Sequence, residues 1–146
     1  MGYFFDLQRF VDAQDPVFED VLLELRRGDK EGHWMWFIFP QISGLGSSAM
    51  SQRFAISSRA EAEAYLAHAV LGPRLIRCTK LVNAVESRSA ERIFGPVDAM
   101  KFRSSMTLFR EAAPAGSVFN EALKKYFAGE PDTRTLQLLG SPRHTL

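Results

Sequence analysis

The stretch "DAMKFRSSMTLFR", Asp98 to Arg110, decides how the rest of the chain is read. At 3.6 residues per turn it places Phe102, Met106 and Phe109 on one face, continued by Ala113. Val97, Met100 and Leu108 form a second apolar patch nearly opposite. A helix apolar on two sides is expected to be central, with neighbours around it. Lys101, Ser104 and Ser105 share the flank beside Leu108, and Arg103 and Arg110 lie on the other flank. Charges on a central helix are costly unless they are paired or face a cleft. The plain expectation is that Lys101 and Arg103 snorkel outward or pair with carboxylates such as Asp98 or Glu111. The sharper one gives Lys101 or Arg103 an anionic ligand, with Ser104 or Ser105 as extra donors.

Helix signals continue on both sides of this segment. "DPVFEDVLLELRRG" predicts a helix with Asp15 as N-cap, Pro16 at the first helical position and Gly28 at its end. Leu7, Phe10 and Val11 predict a shorter helix before it. Ser58 and Glu61 form a capping box. Leu71, Leu75, Cys78, Val82 and Val85 recur at helical spacing. "SAERIFG" gives one or two turns stopped by Gly95, and the long helix runs from about Val97 to Ala113. Ser117 caps a further helix ended by Gly129, and Asp132 starts a short last one. No pair of alternating segments is joined by a hairpin turn. The expected fold is mainly α, a single compact domain of about seven helices with its core between about residues 6 and 139 of 1–146.

One segment breaks the pattern. "EGHWMWFIFPQISGLGSS", Glu31 to Ser48, sets Trp34, Trp36, Phe37 and Phe39 between His33 and Gln41, ahead of a loop with Gly44 and Gly46. As a strand it would be buried on both faces with no partner strand in sight, leaving its amides unpaired. As a helix it ends by Phe39, because Pro40 disfavours the α conformation before it. The expected form is a short helix or extended piece entering a loop over 41–48. Its rings are expected to be mostly core and partly pocket wall, with His33 and Gln41 at the rim and Lys101 facing the same cleft. The alternative buries both tryptophans and leaves His33 and Lys101 on separate surfaces.

Bulk properties narrow the function classes. With 146 residues, 46% hydrophobic, the chain can bury a real core, and its 12 phenylalanines imply one built on flat rings. A net charge of +1 gives no field for nucleic acid or an acidic membrane. The single Cys78 allows no internal disulfide, and no second His or Cys sits at metal-ligand spacing, so neither a metal nor a cofactor is expected. His68 and His144 have no supporting pattern. No nucleophile elbow or phosphate-loop lysine is present, so acyl transfer and nucleoside-triphosphate chemistry lack support. No apolar run reaches membrane-span length, and Asp6 interrupts "MGYFFDLQRF", so it does not read as a signal peptide. The expected location is the cytoplasm.

Together, "HWMWFIFPQISGLG" (33–46), "VLGPRL" (70–75) and "MKFRSSMTLF" (100–109) resemble the uncharacterised domain-of-unknown-function family 1810, over Asp6 to Leu139. Many of its bacterial members carry the label calpastatin. A calpain inhibitor of that kind is an extended, disordered chain, whereas this sequence is rich in core residues. The family is also distantly similar to the NADAR superfamily, named for a proposed link to NAD and ADP-ribose, through Lys101 and Phe102 following a Met. That likeness implies a compact helical fold and N-glycosidase-like chemistry on ribose-linked bases. The superfamily's Ser-Glu-His-like helix start and its Asp followed by Trp-Gly have no counterpart here, so no catalytic carboxylate carries over.

The expected function is a small-molecule-binding domain with a nucleotide or ribose-phosphate ligand, or an N-glycosidase-like hydrolase of such a ligand. Candidate ligand contacts are His33, Trp36, Gln41, Gly44, Gly46, Lys101, Arg103, Ser104 and Ser105. Glu31, Asp98 and Gln41 are the polar groups a hydrolase could draw on. The rival is a non-enzymatic interaction or structural module.

Overall fold

Gly95, with φ +85°, turns the chain sharply after helix α7 (Ala90–Phe94), and Pro96 opens helix α8 (Pro96–Ala112). The computed structural model, which describes residues 5–140, makes α8 the axis of the fold. Helices α5 (Arg59–Ala67), α9 (Val118–Phe127) and α10 (Thr133–Leu139) pack around it together with α7. Phe102, Met106, Leu108 and Phe109 are fully buried. The Phe102 ring meets Phe94 at 4.7 Å, Phe39 at 5.0 Å, Phe127 at 6.3 Å and Tyr126 at 6.4 Å. Phe109 meets Tyr65 at 5.3 Å and Phe119 at 5.8 Å.

The second apolar patch does not hold together. Leu108 is core, but Val97 and Met100 are 67% and 71% exposed. They stand in the first turns of α8, where the helix borders an open cleft rather than another helix.

Helices α1 (Gln8–Gln14) and α2 (Phe18–Arg27) precede the aromatic segment, and α6 (Leu71–Ala84) packs on α2, α5 and α9. Gly28 ends α2 in the left-handed conformation, Ser58 accepts the Glu61 amide, and Ser117 and Asp132 cap α9 and α10. The role expected of Asp15 is corrected. Asp15 is the C-cap of α1, Val17 stands at the start of α2, and the Asp15 carboxylate pairs with Arg74 at 2.8 Å. Only three residues separate the two helices, so Asp15 and Pro16 belong to the turn between them.

Ten helices replace the expected seven or so among the described residues. The additions include α3 (Met35–Ile38), a single turn that ends before Pro40, and α4 (Ala49–Arg53). Helix α4 has no buried residue, so no apolar period announced it; the Ser48 hydroxyl capping the Ser51 amide starts it. An isolated parallel bridge joins Ile42 to Ile56, with Ser43 N–H donating to Ile56 O and Ile56 N–H to Gln41 O, each at 2.8 Å. It pins the two ends of the 41–56 segment. The described residues form no other β structure. No described helix is long and apolar enough to cross a membrane. His144 and the first four residues lie outside the described range.

Gly72 explains part of the "VLGPRL" motif. A Cβ there would stand 2.1 Å from the Leu66 carbonyl oxygen, a backbone atom that cannot swing aside. Gly72→Ala is therefore expected to destabilise by about 1–3 kcal/mol or more, although alanine is the better helix former. Phe102→Ala should cost ~3–5 kcal/mol. Chemical denaturation checks both, and a loss well below 1 kcal/mol for Phe102→Ala would remove α8 from the centre of the fold.

Candidate functional site

The aromatic segment is anchored by one carboxylate. Glu24, in the last turns of α2, accepts hydrogen bonds on one oxygen from Glu31 N–H (2.8 Å), Gly32 N–H (3.0 Å) and Trp34 Nε1–H (2.9 Å). Burial pushes its pKa up, but these three donors and the nearby Lys30 outweigh that and leave it below the ordinary 4.5. A Cβ on Gly32 would meet the Trp34 ring at 2.8 Å, so the indole lies directly against this glycine. Trp34 is buried, and Lys30 sits 5.0 Å from the centre of its ring.

From Lys30 a line of charges runs to α8. Lys30 Nζ donates to Gly32 O at 2.6 Å and pairs with Asp98 at 2.8 Å. The other oxygen of Asp98 faces Lys101 Nζ at 3.5 Å, and Lys101 lies 5.0 Å from the centre of the Trp36 ring. The Lys30 side chain is only 8% exposed, and those of Asp98 and Lys101 are about a fifth exposed. Two ammonium groups thus share one carboxylate, leaving an excess positive charge on two aromatic faces.

Lys101 also lines a cleft of about 380 Å³. Helix α8 contributes Val97, Met100, Lys101 and Ser104, and the start of α10 contributes Asp132 and Arg134. The 41–51 segment supplies Gln41, Leu45, Gly46 and Ser51. Arg134 is exposed and has no ion-pair partner among the described residues. The Ser104 hydroxyl donates to Met100 O at 3.1 Å.

Of the residues singled out in the sequence, Gln41, Gly46, Lys101 and Ser104 meet in this cleft, with Trp36 behind Lys101. Gly44 lines an adjoining hollow. The others go elsewhere. His33 is exposed and lines neither space. Arg103 turns to the opposite flank, donates to Glu130 O at 3.0 Å and stacks on Phe127. Ser105 is fully buried, its hydroxyl without a partner among the described residues.

Sequence reasoning missed Lys30, Asp132 and Arg134 as members of the site. Lys30 lies in "RRGDKEG", which reads as a solvated charge run. Asp132 was recognisable as a helix cap, and Arg134, two residues on, could have been placed beside that helix start.

The nearby carboxylates are engaged. Asp98 serves two lysines, and Asp132 accepts from Thr135 N–H (2.9 Å) and Oγ1–H (2.6 Å). Glu31 is exposed, 3.9 Å from Arg27. Burial pushes the Cys78 thiol up to about 12, which keeps it protonated and unreactive at neutral pH.

The model of the family described as protein of unknown function (DUF1810) matches residues 4–139. The chain belongs to this family. No curated protein matches it. The crystal structure of the conserved hypothetical protein Rv1873 from Mycobacterium tuberculosis is similar, at 56% identity and a TM-score of 0.92, over 94% of this chain and 99% of that one. DUF1810 membership thus comes with a solved fold, and neither description states an activity.

The Glu24 anchor has a pH signature. Its folded pKa is depressed, so its contribution is present above about 4.5 and lost as pH falls through the lower folded value. Glu24→Gln is expected to lose about 1.5–3 kcal/mol at neutral pH, the usual worth of hydrogen bonds to a charged group. The gap to wild type should narrow below pH 4.5. Urea unfolding across pH 3–7 checks it, and a gap independent of pH would mean that the charge does not hold the segment.

Proposed function

We propose that the chain binds a small anionic ligand of the nucleotide or ribose-phosphate type in the cleft between α8, the start of α10 and the 41–51 segment. One observation carries this reading: Lys101 is set against Trp36 and Asp98 at the cleft wall, in a cluster with one more cation than anions. Arg134 adds a second, unpaired cation from α10. Such a pair suits a phosphate, because charge-assisted hydrogen bonds are among the strongest available to a protein. Leu45, Val97 and Met100 offer an apolar shelf on which a flat base can lie. The distant NADAR likeness points to the same ligand class.

Hydrolysis has less support than binding. An N-glycosidase needs a carboxylate or a water-orienting group at the anomeric carbon. Asp98 and Asp132 are engaged, and Gln41, whose amide has no partner among the described residues, is the remaining polar candidate. The exposed Val97 and Met100 support the second reading, a protein-interaction module, since a partner could cover them.

Thermal-shift and calorimetric titration with nucleoside monophosphates and ribose phosphates tests the proposal. A ligand that binds the native state raises the melting temperature. Lys101→Met and Arg134→Ala are each expected to weaken binding about tenfold, or ~1.4 kcal/mol. Absence of any shift at millimolar ligand would favour the interaction module.

A further inference from the structure

The cleft does not end at the loop. Gln41, Gly46 and Ser51 line it and also line a second hollow of about 360 Å³, so the two spaces share a wall. That wall is thin because of Gly46. A Cβ there would stand 2.5 Å from Ser51 Oγ and 2.7 Å from Ser51 Cβ, so the loop lies directly on α4. The base of the loop is closed by the Ile42–Ile56 bridge.

The two spaces differ in chemistry. Lys101, Arg134 and the apolar side chains belong to the first. No charged side chain lines the second, whose polar groups are the amides and hydroxyls of Gln41, Ser43, Ser51 and Gln52. Several have unused capacity. The side chains of Gln41 and Ser43 have no hydrogen-bond partner among the described residues. Ser51 accepts from Ser48 and keeps its own proton to donate, and Gln52 uses only its NH₂ group, on Ser47 O. Neutral groups that both donate and accept match hydroxyls, which do the same, and offer no counter-charge to a phosphate.

We infer that the two hollows are one two-part site, and that the neutral part takes the hydroxyl-bearing portion of the ligand whose anionic group sits at Lys101 and Arg134. The ligand class is then a sugar phosphate, free or as part of a nucleotide. Gln41, on the shared wall, reaches both portions. This inference rests on the anion-binding reading above and narrows it.

Calorimetric titration with inorganic phosphate, propyl phosphate and ribose 5-phosphate separates the two claims, since propyl phosphate carries no alcohol hydroxyl. Wild type is expected to bind ribose 5-phosphate at least tenfold more tightly than propyl phosphate. Ser43→Leu fills the neutral hollow at an exposed position whose side chain makes no internal bond. It should bring ribose 5-phosphate down to the propyl phosphate level and leave the latter unchanged. Ala55→Leu, at a residue that lines the neutral hollow and not the charged cleft, provides the same comparison should Ser43→Leu lower the melting temperature. Lys101→Met should weaken all three. Equal wild-type affinity for ribose 5-phosphate and propyl phosphate overturns the two-part site and leaves the anion reading standing. A ribose preference that survives both Ser43→Leu and Ala55→Leu overturns it as well, since the hydroxyls then bind elsewhere. No binding of any of the three overturns both readings.

Discussion

Burial of the Phe102 ring is the constraint on which the rest of this structure depends. The ring touches Phe39 from the aromatic segment, Phe94 from α7, and Tyr126 and Phe127 from α9. Elements from three parts of the chain thus converge on one side chain in the middle of α8. Its placement sets the rotation of the helix. Successive residues are about 100° apart around a helix axis, so Lys101 and Arg103 leave on opposite sides of a buried Phe102. Lys101 is directed to Trp36 and the cleft, and Arg103 to Glu130 and Phe127. One apolar contact thereby selects which cation belongs to the site.

The aromatic segment serves core and site through different rings. Phe37 and Phe39 are buried, Phe39 against Phe94 and Phe102, Phe37 against Phe54. Trp34 is held by Glu24, and Trp36 stays half-buried beneath Lys101. The tryptophans lie near the two lysines that share Asp98. Withdrawing like charges from water is unfavourable unless something replaces the solvent. Here one carboxylate, the Gly32 carbonyl and two ring faces do so.

Two polar side chains inside α8 are satisfied within the helix. Ser104 and Thr107 return their hydroxyl protons to carbonyls four residues back, and Thr107 also accepts the Asp132 amide at 2.8 Å. That last bond ties the start of α10, and with it Arg134, to the central helix. The position of the second cation therefore follows from a buried threonine that carries no charge.

What the sequence determined by itself is what depends on neighbours three or four residues apart. The caps at Ser58, Ser117 and Asp132, the stop at Gly28, the end of α3 before Pro40 and the buried Phe102, Met106 and Phe109 face were all legible there. The meeting of Gln41, Gly46, Lys101 and Ser104 in one cleft was only an expectation until the loop and α8 had positions in space. What required the tertiary structure depends on partners distant in the chain. Lys30 joins the site because Asp98 reaches it across the fold, and the Asp15 carboxylate, in the turn between α1 and α2, pairs with Arg74 instead of capping α2. Met100 and Val97 are exposed because their face of α8 borders the cleft, and Ser105 is core because that helix is surrounded further along. Hydrogen-bonded caps and apolar periods are local patterns. Pairing of charges and coverage of a face are decided only when distant segments pack, and the candidate site is made almost entirely of such long-range relations.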